Sequence, residues 1–293
     1  MLRRPTLAAF SLAFILALAG CGDDPEPSAD VPDPVRVPPS SAAPERSYVA
    51  LGDSYTAAPL ITDETAVDGC LRSSTNYPAL VAAELGYDLT DVSCSGATTE
   101  NLSTPQPTTT GEAPPQLDAL GPDTALVTIG MGGNDGGVFS RLISCASGGS
   151  PCRDRLGSQG RADLESAVDE LGPNLTTALA AVREQAPAAE VVVVGYPQII
   201  APDADCPDRL PVAAGDRPYL AGLNERIHTV QQRAARAAKA SYVDLYDASA
   251  GHDVCADDPW VNGVETIPGV GLTLHPLAAG QVAAAELVVA ALG

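Results

Sequence analysis

The sequence predicts an α/β protein, a three-layer α/β/α sandwich around a five-stranded, mostly parallel sheet. Short apolar runs rich in Val, Ile and Leu alternate along the chain with longer helical patterns. Three of those runs end in corners of Gly, Ser and Asn, as where a buried strand hands over to a loop at the carboxyl edge of a sheet. At 293 residues the chain is long enough for one large domain of this kind.

The amino terminus reads differently. Met1-Leu2-Arg3-Arg4 precedes an apolar stretch from Leu7 to Leu18, which reaches Leu18-Ala19-Gly20-Cys21. Two positive charges, an apolar core shorter than the ~20 residues of a membrane span, and small residues before a Cys describe an export leader over residues 1–20. Leu-Ala-Gly-Cys resembles the bacterial lipobox, in which the Cys becomes the lipidated first residue of the mature chain. Cys21 is therefore the expected point of lipid attachment; the alternative is an ordinary cleaved leader that leaves Cys21 free. Residues 21–46 hold Pro, Ser, Asp and Glu with hardly an apolar side chain, and read as an extended tether. The folded domain is expected over 47–293.

Within that domain the first strand is Ser47 to Leu51, ending in Gly52-Asp53-Ser54. Asn76 to Leu85 is a helix opened by Asn76 and closed by Gly86. Asp88 to Cys94 reads as a second strand, ending in Ser95-Gly96-Ala97. A Thr/Pro-rich loop spans Ser103 to Pro115. Thr124 to Gly130 is the third strand, followed by Met131-Gly132-Gly133-Asn134-Asp135. Arg161 to Gln185 carries Leu164, Val168, Leu171, Leu175, Leu179 and Val182 at helical spacing, with a break or a kink expected at Gly172-Pro173. Glu190 to Tyr196 is a fourth strand with the continuous apolar run of a central parallel strand. Asp216 to Lys239 is an amphipathic helix, and Tyr242 to Tyr246 a fifth strand. An Ala-rich helix from Pro276 to Leu292 completes the series, with Pro in its first turn.

Charge and cysteine content narrow the partners. Sixteen basic residues face 37 acidic ones, a net charge of −21. Such a surface repels phosphate backbones and anionic headgroups, so nucleic acid is not an expected partner and a lipid anchor would carry any membrane attachment. Beyond Cys21 there are six cysteines, at 70, 94, 145, 152, 206 and 255. An even number in an exported chain favours disulfides, and no spacing here suits a zinc site, so no metal is expected. Fifteen pairings are possible. Cys70–Cys94, Cys145–Cys152 and Cys206–Cys255 close the shortest loops and are the expected set.

In a parallel sheet the corners at Ser54, Gly96 and Asn134 share one edge, so they converge although distant in sequence. A serine there can act on an acyl group if a base takes its proton and donors hold the oxyanion. Glycine allows close backbone approach, and the Asn amide donates without losing a proton. Taken singly, each corner is also what an ordinary turn or helix cap looks like. For the base there are three histidines. His228 lies within a helix and His252 in a loop before Cys255. His275 stands at a loop-to-helix junction, where a helix-terminal residue and a base are equally good readings.

These residues, in this order and spacing, resemble the GDSL (SGNH) hydrolase family. The first block reads Gly52-Asp53-Ser54-Tyr55, the glycine block Gly96, the GxND block Gly132-Gly133-Asn134-Asp135, and the last block His275-Pro276 with its continuation to Gln281. The likeness runs from about Ser47 onward, and the six cysteines look like those of secreted actinobacterial members with three sequential disulfides. The resemblance implies a flavodoxin-like SGNH hydrolase fold and a carboxylic-ester hydrolase, esterase or lipase, without cofactor. Ser54 would be the nucleophile and His275 the general base. The Ser54 and Gly96 amides and the Asn134 side chain would form the oxyanion hole.

One departure matters. The family usually carries an Asp three residues before the His, and this chain has Leu272. Some secreted relatives orient the His through a backbone carbonyl at that position, so the Leu272 carbonyl is the expected orienter, with Glu265 or Asp253 as the carboxylate alternatives. The expected protein is an extracytoplasmic monomer, lipid-anchored or secreted. Its substrate would be an ester: a lipid, a soluble short-chain ester or an acylated glycan. The competing readings are an acyltransferase or polysaccharide deacetylase on the same site, and a glycan-binding lipoprotein without catalysis.

Overall fold

The computed structural model describes residues 46–62, 68–147 and 151–293. The leader, Cys21 and the tether up to residue 45 lie outside the described residues. The first strand, β1 (Arg46–Gly52), is buried from Tyr48 to Gly52 and leads straight through Asp53 into the single turn α1 (Ser54–Ala57). Helix α2 (Tyr77–Leu85) begins where the Asn76 side chain accepts the Ala79 N–H and stops at Gly86, whose φ of +69° is a left-handed cap. Strand β2 (Tyr87–Asp91) is shorter than Asp88–Cys94. Beyond it only Val92 N–H and Cys94 N–H still bond to β1, at Ala50 O and Gly52 O, while Ser93 N–H turns back to the Asp91 side chain.

The Thr/Pro-rich segment contains a small hairpin, β3 (Gln106–Thr108) against β4 (Gly111–Ala113). Then follow β5 (Thr124–Gly130), α3 (Val138–Ser147) and the long α4 (Cys152–Gln185). The expected break at Gly172-Pro173 does not occur; the only non-helical residue in α4 is Gly157. Pro173 removes one backbone hydrogen bond, but Leu171, Leu175 and Leu179 on that stretch are buried, and packing outweighs the local loss. Helix α4 also passes close to α5, such that a Cβ at Gly172 would lie 3.4 Å from Val230 Cγ1.

Strand β6 (Glu190–Val194), α5 (Arg217–Ala237) and β7 (Ser241–Val243) come next. The fifth strand is Ser241–Val243 instead of Tyr242–Tyr246, because the Asp244 side chain caps the Asp247 N–H and starts α6 (Leu245–Ala248). Helix α7 (Ala278–Leu292) begins after Leu277. Pro276 is outside the helix, bridged to Val261.

The five main strands lie in the order β2-β1-β5-β6-β7, every pair parallel. Alternate side chains of each strand feed two apolar layers. Val49, Leu51, Val127, Ile129, Val191 and Val193 pack with α3, α4 and α5. Tyr48, Ala50, Leu126, Val192 and Val194 pack with α2 and α7. The result is the expected three-layer sandwich. Disulfides join Cys70–Cys94, Cys145–Cys152 and Cys206–Cys255, the neighbour pairing.

Candidate active site

Between β1 and β5 the chain must turn from strand to helix within one residue, and small groups permit it. A Cβ on Gly52 would stand 2.1 Å from Thr56 Oγ1 and 2.9 Å from Gly130 O, so only glycine fits beneath α1. The Gln116 amide holds this glycine from both sides, accepting from Gly52 N–H at 2.8 Å and donating to Gly52 O at 2.9 Å. Asp53 caps α1 by accepting from Tyr55 N–H at 2.9 Å. Ser54 therefore sits at the first position of a buried turn, 4% exposed.

His275 arrives 221 residues later in the chain, and its Nε2 lies 2.7 Å from Ser54 Oγ. Its Nδ1 is 2.7 Å from the Thr273 carbonyl. A carbonyl only accepts, so Nδ1 carries the ring proton and Nε2 is left to accept from the serine hydroxyl. Burial pushes the imidazole down to about 4, against the carbonyl bond that favours the cation. The ring is thus neutral across the ordinary pH range.

The orienting carbonyl is Thr273's, not that of Leu272. Leu272 O is already taken, accepting from His275 N–H at 3.1 Å and from Asn262 Nδ2 at 3.1 Å. Leu274 adopts a left-handed φ of +53°, which folds the ring back over the carbonyl two residues earlier. The carboxylate alternatives are engaged or exposed. Asp253 accepts from Cys255 N–H, and Glu265 lies on the surface. Among the described residues no carboxylate bonds to His275.

The two remaining corners meet beside this pair. Asn134 Nδ2 donates to Ala97 O at 3.0 Å, leaving its second hydrogen free, and Asp135 accepts from Thr99 N–H at 2.9 Å. These bonds tie the Gly96 turn to the Gly132–Asp135 turn. Gly96 takes a φ of +84°, open to glycine without strain. Among the described residues neither the Ser54 nor the Gly96 amide donates to a protein acceptor. Behind them Tyr196 OH donates to Asp53 Oδ2 at 2.5 Å and accepts from Gly133 N–H at 2.8 Å. Burial raises the Asp53 carboxyl to about 7, against the Tyr196 and Tyr55 hydrogen bonds. Tyr55 packs on the His275 ring at 5.1 Å and donates its hydroxyl to Leu274 O at 2.5 Å.

The other histidines are occupied elsewhere. His228 on α5 lies 3.1 Å from Tyr242 OH and 3.4 Å from Asp244 Oδ1, and stacks on Tyr246. His228, Asp244 and Asp247 form a half-buried group whose ligand-type atoms lie within 4.8 Å of one another. His252 bonds Asp258 O and stacks on Trp260. Reading the sequence alone missed Thr273, Tyr196, Gln116 and Asn262; only Asp135 carried a local signal, inside the GxND block.

A buried serine bonded to a neutral histidine, beside the Ser54 and Gly96 amides and a free Asn hydrogen at a parallel-sheet edge, is the arrangement of a serine acyl hydrolase. The chain belongs to the GDSL-like lipase/acylhydrolase family, whose profile matches residues 50–283. It is 40% identical over 272 residues to Lipase 2 of Streptomyces coelicolor, covering 87% of this chain and 88% of that one. With the lipase of Streptomyces rimosus it shares 32% over 237 residues, covering 80% and 82%. The fold matches the crystal structure of phospholipase A1 from Streptomyces albidoflavus with a TM-score of 0.68 at 30% identity, over 84% of this chain and 98% of that one. It also matches the extracellular lipase from Streptomyces rimosus with a TM-score of 0.70 at 29% identity, over 84% and 99%. Three disulfides and such relatives suit a domain working outside the reducing cytoplasm.

Proposed function

We propose that this enzyme hydrolyses carboxylic esters through an acyl intermediate on Ser54, with His275 as base and then acid. The observation that carries the reading is the 2.7 Å contact between Ser54 Oγ and His275 Nε2, with Nδ1 fixed as donor by the Thr273 carbonyl. Ser54 Oγ attacks the ester carbonyl carbon while its proton passes to Nε2, a transfer worth roughly 10²–10⁴ in rate. The carbonyl oxygen gains the negative charge, which the Ser54 and Gly96 amides and the Asn134 amide receive. Collapse breaks the bond to the alcohol, which leaves with the proton from Nε2. Water then repeats the sequence on the acyl-serine and releases the acid. The Thr273 carbonyl stabilises the transient imidazolium, as a carboxylate would do more strongly in a triad.

The chain's own amino terminus supports export, with residues 1–20 as leader, 21–46 as tether and Cys21 as lipid attachment point, so the domain would work as a monomer held near the cell surface. Hydrolysis of p-nitrophenyl esters from acetyl to long acyl chains, beside a Ser54→Ala control, tests the reading. Activity absent in the control, with fluorophosphonate labelling confined to Ser54, is the expected result. Undiminished turnover by Ser54→Ala would refute it, and no turnover by the folded wild type would favour a glycan-binding role.

A further inference from the structure

Three large aliphatic side chains stand exposed among the described residues, and two of them share one loop. Ile267 is 41% and Val270 42% exposed, on the segment that leads into His275. They flank Pro268-Gly269 in a turn closed by Val270 N–H on Ile267 O at 3.0 Å, with Gly269 at a φ of +80°. Ile267 and Gly271 also exchange two backbone hydrogen bonds, of 3.0 and 2.9 Å, so the tip is a small rigid hairpin. Its base is fixed as well. Thr266 Oγ1 lies 2.9 Å from Thr273 Oγ1, and Asn262 Nδ2 donates to the carbonyls of Glu265, Gly271 and Leu272. The next carbonyl, that of Thr273, holds His275 Nδ1.

The tip covers no part of the core, since every residue from 265 to 270 is exposed. Two partly exposed side chains offer far less area than the ~1,000 Å² a stable protein partner needs. A lipid surface asks for no matching shape, and aliphatic side chains gain by leaving water whatever surrounds them there. The tip has no cation, Glu265 is its one charge, and the chain carries a net −21, so an anionic surface would repel it.

We propose that the Ile267–Val270 tip inserts into an uncharged or zwitterionic lipid–water surface and seats the Ser54–His275 pair over esters packed there. The proposal rests on the ester-hydrolase reading and deepens it. The preferred substrates are water-insoluble esters presented as an aggregate, and the hairpin tells aggregate from monomer.

The test compares the full chain with its Ile267→Ser/Val270→Ser variant, both carrying Cys21→Ser so that no acyl anchor contributes. Flotation with phosphatidylcholine vesicles is done in a Ser54→Ala background, which reads docking without hydrolysis. The expected results are at least about tenfold weaker flotation of the variant, a similar fall in its hydrolysis of an emulsified long-chain ester, and kcat/KM on monomeric p-nitrophenyl acetate within about twofold. Phosphatidylglycerol vesicles should bind the parent more weakly than phosphatidylcholine. Equal flotation of parent and variant would overturn the proposal, as would stronger binding to phosphatidylglycerol. A parallel loss on the soluble ester would also overturn it, by making the hairpin a support for His275. Retained hydrolysis in Ser54→Ala would instead strike the function itself and leave the vesicle result to be read alone.

Discussion

Replacing Tyr196 by Phe removes one oxygen that serves two buried groups. Asp53 Oδ2 loses its donor and Gly133 N–H loses its acceptor, both in fully packed surroundings. The orphaned amide costs about 1–3 kcal/mol at any pH. The Asp53 share depends on pH. Burial lifts its carboxyl from 3.8 to about 7 in the fold, so the native state holds a proton that the unfolded chain releases. That uptake supports the fold fully below pH 3.8, and the support is lost as pH rises through about 7. Tyr196 lowers this pKa by bonding the ionised form, so its loss moves the native value further up. At pH 5 the carboxyl is neutral in both native proteins and only a neutral hydrogen bond is missing, worth about 0.5–1.5 kcal/mol. At pH 9 the missing bond is one to a charge, worth about 1.5–3 kcal/mol. The variant's deficit should therefore grow by about 1–2 kcal/mol from pH 5 to pH 9. Guanidinium unfolding at both values, disulfides intact, measures it, and melting points should show a gap wider by about 2–8 °C at the higher pH. An equal deficit at both values would refute the coupling of Asp53 ionisation to this network.

His275, depressed to about 4 by burial, should keep kcat/KM for a soluble ester flat down to about pH 4.5, with the acid limb centred near 4; a limb near 6.5 would mean that the ring is solvated in the free enzyme. Asn134→Ala removes the side-chain donor at the oxyanion position and should lower kcat by about 10²–10³ with KM little changed, read from initial rates on p-nitrophenyl acetate. Gly133→Ala would bring a methyl to 2.1 Å from the Phe139 ring. It should cost about 1–3 kcal/mol in chemical unfolding and lower activity by displacing the adjacent Asn134.

The layered fold was legible because burial on both sheet faces leaves continuous apolar runs, as in Thr124–Gly130, and because Asn76 and Gly86 mark helix ends with side-chain chemistry. Boundaries set by competition between local and distant contacts were not. Pro173 looks like a break, yet α4 continues because its apolar stripe packs through that point. Tyr242–Tyr246 looks like a strand, yet Asp244 caps a helical turn in its middle. The nucleophile corner, the two glycine turns and His275 stood out as corners carrying chemistry. The scaffold behind them did not, because Tyr196 reaches Asp53 across 143 residues and Gln116 reaches Gly52 across 64. The step from Leu272 to Thr273 depends on one left-handed residue, Leu274. Leucine gives no sign of that conformation, which glycine or asparagine would have signalled.

The α7 residue Gln281 donates to Tyr55 O at 3.0 Å and accepts from Tyr77 N–H at 2.7 Å, so a helix encoded late in the gene braces the turn bearing Ser54. Synthesis delivers these parts in the opposite order to their need. Ser54 leaves the ribosome first and waits for the segment that brings both its histidine and its brace. Until the domain has closed, the chain holds a serine without a partner and no means to cleave an ester. An ester hydrolase so built stays inert while its chain is being made, and becomes active only once the last helix has docked.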